Sequence, residues 1–104
     1  MQNITDENFE SVVLKSENVF VLDFFSEWCP PCKAMGPVFE QIAREMGDGV
    51  SFGKMDITAN SQTPGSRGVM AVPTFIIFKG GEEIRRFSGI TPKEKFKAEI
   101  EKAK

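Results

Sequence analysis

Residues 19–33 read Val19-Phe20-Val21-Leu22-Asp23-Phe24-Phe25-Ser26-Glu27-Trp28-Cys29-Pro30-Pro31-Cys32-Lys33, and they decide the fold. The seven residues Val19 to Phe25 are mostly β-branched or aromatic, and are apolar on both alternating faces apart from Asp23. That pattern belongs to a central strand covered on both sides. Pro30-Pro31 then opens a helical stretch, in which Met35, Val38, Phe39, Ile42 and Met46 recur at helical spacing. The residue before a proline is pushed out of the helical region, so Cys29 is expected at the N-cap and Pro30 at the first helical position.

Working outward, the punctuation is regular. Residues 2–5 read as a short strand. Thr5 or Asp6 is expected to cap a helix that buries Phe9, Val12 and Val13. Pro37 is expected to kink the helix after Pro30, and Gly47-Asp48-Gly49 to stop it. Val50 to Ile57 is the next strand, and residues 59–68 are a loop or a short helix. Thr74 to Phe78 and Glu83 to Ser88 form a hairpin about Gly80-Gly81. Thr91-Pro92-Lys93-Glu94 has the spacing of a capping box with proline at the first helical position, followed by a helix with Phe96 and Ile100 inside. The order β-α-β-α-β-α-β-β-α predicts an α/β fold, a mixed sheet of about five strands with about four helices on its two faces.

Composition bounds the function. With 104 residues, the chain is read as one domain spanning residues 1–104. It has no His and no Tyr, which excludes His-based triads and His metal sites. Two Cys are too few for one chain to build a four-ligand zinc site, so no metal is expected. The net charge is -2, without the basic excess of a nucleic-acid binder. Its basic groups gather after residue 78, as on a solvated C-terminal helix. No apolar run approaches the roughly 20 residues of a membrane span. The early Asp6, Glu7 and Glu10, with no apolar leader, suggest a cytoplasmic home.

The chemistry lies at Cys29 and Cys32. A helix N-terminus carries partial positive charge and unpaired N–H groups, which favour a thiolate at Cys29. Cys32 follows three residues on, within disulfide reach. As a staple, a bridge closing so short a loop removes little unfolded-state entropy. A C-x-x-C at a strand–helix junction therefore reads as a redox pair. Residue reasoning leaves other positions open. Asp23 is either buried, with a raised pKa and a role as proton acceptor, or at a strand edge facing water. Lys54 reads as a solvated strand residue, Pro73 as a strand-start proline, and Trp28 as either core or contact surface.

The chain resembles the thioredoxin family over nearly its whole length. The resemblance is carried by Asp23-Phe24, Glu27-Trp28-Cys29-x-Pro31-Cys32-Lys33, Pro37, Val72-Pro73-Thr74, Phe78-Lys79-Gly80-Gly81 and Gly89. Two departures stand out: Pro30 where the family commonly has Gly, and Phe25 where it often has Trp. The resemblance implies a thioredoxin fold and a protein-disulfide reductase with a redox-active Cys29–Cys32 disulfide. It implies a buried acid at Asp23 with Lys54 as its nearby cation, and a cis Pro73. It also implies a substrate surface of Trp28, Pro30, Pro31, Ala71, Val72, Pro73, Gly89 and Ile90. The expected partners are disulfide-containing proteins and a thioredoxin reductase or equivalent donor, acting on a monomer. No cofactor, nucleic acid or membrane is expected. Two other readings use the same residues. One is a glutaredoxin-like or oxidase/isomerase module, against whose glutathione form the N-terminal strand–helix and Asp23 argue. The other is a non-enzymatic subunit that uses the apolar surface about Trp28.

Overall fold

The computed structural model describes every residue from Met1 to Lys104. Its strands are β1 (Gln2–Asn3), β2 (Val19–Phe25), β3 (Val50–Asp56), β4 (Thr74–Lys79) and β5 (Glu82–Ser88). Its helices are α1 (Phe9–Leu14, a π-type turn), α2 (Pro30–Met46), α3 (Gln62–Ser66) and α4 (Lys93–Ala103). The sheet order is β1-β3-β2-β4-β5, with β1, β3 and β2 parallel and β4 and β5 antiparallel to their neighbours. The expected thioredoxin fold, a mixed five-stranded sheet with four helices, is what forms. No helix is long and apolar enough to cross a membrane.

Alternation along β2 sorts the interior into two cores. Val19 and Val21 join Met35, Phe39, Ile42, Phe75, Phe96 and Ile100 beneath α2 and α4. Phe20, Leu22 and Phe24 join Ile4, Phe9, Val13, Ile76 and Phe78 on the opposite face. Successive strand residues point to opposite faces, so Asp23 takes the α2 face with Val19 and Val21. Edge-to-face aromatic pairs such as Phe75–Phe96, with centroids 4.8 Å apart, fill the first core. On the second face, the Arg67 guanidinium lies 5.1 Å from the Phe9 ring centroid and brings the end of α3 against that core.

Two local expectations are corrected. Neither Thr5 nor Asp6 caps α1 as a helix N-cap; Asn8 holds that position, and the Thr5 and Asn8 side chains bond each other's N–H groups. Asp6 instead accepts from the Gln62 and Thr63 N–H groups, at 3.2 and 2.8 Å, and so serves the start of α3. Those bonds, Thr63 first, hold its carboxyl below the usual carboxylate range. The capping box at residues 91–94 does not form either. Pro92 is itself the N-cap of α4, and the Thr91 hydroxyl turns back to the Gly89 carbonyl. Pro92 is extended, with φ -58° and ψ 142°, and its carbonyl accepts from the Phe96 N–H at 3.0 Å as the first bond of the helix. Helix α2 continues past Pro37 to Met46.

Gly53 sits where β1 and β3 close over the second core. A Cβ there would stand 2.9 Å from Ile4 Cγ1, 3.0 Å from Phe20 Cζ and 3.1 Å from the Gln2 carbonyl. Ile4 and Phe20 are buried and have little room to move. Gly53→Ala is expected to destabilise the fold by about 1–3 kcal/mol through overpacking. Urea unfolding of the variant checks this.

Candidate functional site

The turn between β2 and α2 presents both cysteines. Cys29 is extended (φ -98°, ψ 110°) and occupies the N-cap of α2, as the following proline demands. Pro30 and Pro31 take the first two helical positions, where a missing N–H costs no intrahelical bond. Cys32, one turn on, is bonded to Cys29 as a disulfide with a Cα–Cα separation of 5.1 Å. Its N–H donates to Cys29 Sγ at 3.2 Å. Cys29 is partly exposed and Cys32 is buried, so an approaching group meets Cys29 first.

Behind the disulfide lies Asp23. It is only 4% exposed, and its Oδ1 has no hydrogen-bond partner. Burial raises its pKa from 3.8 to about 7, against the opposing pull of Lys54. Lys54 is the register partner of Asp23 on β3, and its Nζ lies 5.0 Å from the Phe25 ring centroid. Asp23, Cys32 and Lys54 line one cleft of about 330 Å³ with Phe25, Glu27 and Gly36. The alternatives left open for Asp23 and Lys54 are thereby resolved: Asp23 is inside, and Lys54 shares its cleft.

In front of the disulfide lies the Val72–Pro73 turn, whose peptide bond is cis. Val72 O is 3.4 Å from Cys29 Sγ, within reach of a thiol S–H in the reduced pair. The Val72 N–H makes no hydrogen bond within the chain. Gly89, at φ +82°, donates its N–H to the Pro73 carbonyl at 2.9 Å and so ties the end of β5 to this turn. Trp28 is 83% exposed and Ile90 67%; Ala71 and Pro30 are also exposed, while Val72, Pro31 and Gly89 are half-buried and Pro73 is buried. Trp28 is thus surface rather than core.

One exposed apolar residue escaped sequence reasoning. Met70 is 95% exposed, two residues before Val72. The available signal was the apolar run Val69-Met70-Ala71-Val72 immediately before a proline. Such a run is too short for a strand of its own and too apolar for an ordinary loop.

Comparison with known proteins shows the family. Residues 1–102 match the thioredoxin family. A thioredoxin of Listeria monocytogenes is 41% identical over 102 residues, covering 98% of this chain and 97% of its own. A thioredoxin of Bacillus subtilis is 41% identical over 90 residues, covering 86% of this chain and 85% of its own. One of Rhodospirillum rubrum is 40% identical over 95 residues, 91% of either chain.

The unpaired carboxyl of Asp23 has a measurable effect on stability. Between its unfolded pKa of 3.8 and its folded value of about 7, the folded chain holds a proton that the unfolded chain releases. Stability contributed through this group therefore falls as pH rises across that window and levels off above it. Asp23→Asn removes the effect. The variant is expected to match the parent near pH 4 and to exceed it by roughly 2–4 kcal/mol at pH 8. Denaturant unfolding at both pH values checks the sign.

Proposed function

The chain belongs to the thioredoxin family, and on that premise we propose that Trp28-Cys29-Pro30-Pro31-Cys32 is its active-site motif and that the surrounding residues divide the work of disulfide exchange. The protein is a thiol-disulfide oxidoreductase that reduces protein disulfides and is returned to its dithiol form by a reductase. The observation that supports the division most directly is the layering about the Cys29–Cys32 bond: an open backbone edge at Val72 in front, and an unpartnered buried carboxyl at Asp23 behind.

The exchange runs in two steps. An extended substrate segment pairs with the Val72 backbone, as a strand adds to an edge, with its disulfide over Cys29. The Cys29 thiolate attacks one substrate sulfur, forming a mixed disulfide and expelling the other sulfur as a thiolate. Asp23 accepts the proton of Cys32 within their shared cleft, a task for which a pKa near 7 is suited. Cys32 then attacks Cys29 Sγ. The second substrate thiol leaves, and two electrons have passed from the pair to the substrate. Lys54 stabilises the ionised form of Asp23. Trp28, Pro30, Pro31, Ala71, Val72, Pro73, Gly89 and Ile90 form the contact surface. We place the protein in the cytoplasm as a monomer, because a dithiol donor needs a compartment whose poise keeps it reduced.

The two cysteine roles differ, so their variants should differ. Cys29→Ser is expected to abolish reduction of insulin by the protein and a supporting dithiol. Cys32→Ser is expected to accumulate a mixed disulfide with insulin through Cys29, visible as an added mass that a reducing agent removes. Trapping through Cys32 instead would reverse the assignment.

Pro30 bears on the redox balance. At an N-cap, the acceptor atom ordinarily receives N–H groups from the second and third helical positions. Pro31 has none and Pro30 has none, which leaves the Cys32 N–H and the helix dipole to hold a Cys29 thiolate. The two prolines also restrict the reduced chain to the turn that the disulfide needs. Both effects favour the oxidised pair and make the protein a stronger reductant. Pro30→Gly is expected to raise the reduction potential, by about 30 mV for each 1.4 kcal/mol of differential stabilisation. Equilibration of both proteins against one redox buffer measures it, and a lowered potential in the variant would contradict the argument.

A further inference from the structure

The segment from Arg67 to Pro73 carries the Val72 backbone to Cys29, and it is gripped at three points, by Gly89 just beyond β5, by Thr74 of β4 with Ser88 behind it, and by Arg86 of β5. The Gly89 N–H bonds the Pro73 carbonyl, as described above. The Thr74 hydroxyl lies 2.6 Å from the Ala71 carbonyl and 3.0 Å from the Ser88 hydroxyl. With one proton to give, Thr74 donates to Ala71 and accepts from Ser88. The third grip is a charged one. Arg86 Nη2 donates to the Arg67 carbonyl at 2.7 Å, and Nη1 to the Gly68 carbonyl at 3.3 Å. These carbonyls lie at the exit of α3, where the segment begins.

A bulge aims the Arg86 guanidinium. Residues three apart on a regular strand point to opposite faces. Pairing between β4 and β5 steps from Phe78↔Glu83 to Ile77↔Arg85, which leaves Ile84 as an extra residue. The step places Glu83 and Arg86 on one face, opposite Phe78 and Ile76, both of the second core. Glu83 accepts from Arg86 Nε at 2.8 Å and Nη2 at 2.7 Å. That two-point pair fixes the guanidinium plane and leaves donors directed at the two carbonyls. Ser88, two residues along the same face, completes the grip.

We propose that Arg86 is a positioning residue for protein disulfides: by holding the Arg67 and Gly68 carbonyls it sets where the Val72 backbone stands relative to Cys29. This rests on the reductase reading above and adds to it a residue that touches neither substrate nor sulfur. A substrate with peptide backbone beside its disulfide depends on the Val72 N–H and carbonyl being in register. A small disulfide without peptide bonds does not. Arg86 therefore governs selectivity between the two classes rather than the reactivity of the thiols.

The test uses the full chain, pre-reduced, and measures its rate constants of oxidation by insulin and by cystamine, well below the unfolding temperature. For Arg86→Gln, the insulin rate is expected to fall about tenfold while the cystamine rate stays within about twofold. Arg86→Lys keeps the charge but replaces the planar fork with a single nitrogen, and is expected to show the same selective loss at smaller size; it carries the test if the Gln variant does not fold. A parallel fall for both disulfides, or no fall for insulin, overturns the role of Arg86. Failure of the unsubstituted protein to reduce insulin overturns the reductase reading, and this inference with it.

Discussion

The covering of β2 on both faces is the constraint from which the rest follows. A strand that must bury alternate residues against two different layers cannot slip by one position without sending each set into the core shaped for the other. Phe20, Leu22 and Phe24 are committed to one core and Val19 and Val21 to the other. Asp23 is thereby carried under α2 with the second set. It lies inside because its neighbours on the strand must, and no partner is supplied for its Oδ1. The chemistry at Cys32 thus uses a charge that the packing of the fold makes unfavourable.

The same strand delivers Cys29 to the start of α2, where two physical effects coincide. The proline at position 30 forces Cys29 into the extended N-cap conformation, and the helix behind it presents its positive end to the sulfur. Neither effect needs a distant residue. The front of the site is assembled differently. Val72 reaches Cys29 from 43 residues away, and its position depends on bonds from Gly89, Ser88 and Arg86 on the far edge of the sheet. One half of the site is therefore local in the chain and the other half is a product of sheet order.

That division explains what was legible in advance. The central strand, the redox helix, the hairpin at Gly80-Gly81 and the five-stranded mixed sheet were readable because hydrophobic period and turn chemistry are local signals. Capping was read less well. Asp6 has the right chemistry for an N-cap but serves α3, 56 residues on, since its carboxylate meets those N–H groups only after β1 and β3 pair. At residues 91–94 the capping-box spacing was present, yet Pro92 took the cap itself. For Met70 the local signal is only the apolar run Val69 to Val72 before Pro73, and that run does not say which of its members faces solvent.

By itself, the amino-acid sequence determined the reacting pair and the helix end that activates it, because each depends on residues within a few positions of one another, and it left Asp23 open between burial and a strand edge facing water. Only the tertiary structure decided that Lys54 faces Asp23 across a strand pair, that Val72 stands 3.4 Å from Cys29 Sγ, and that Arg86 holds the segment between. Those relations depend on strand order, on the register of β3 against β2, and on a bulge at Ile84 that reverses which face Arg86 occupies. A one-residue change in any of these registers would leave the local pattern untouched and dissolve the site.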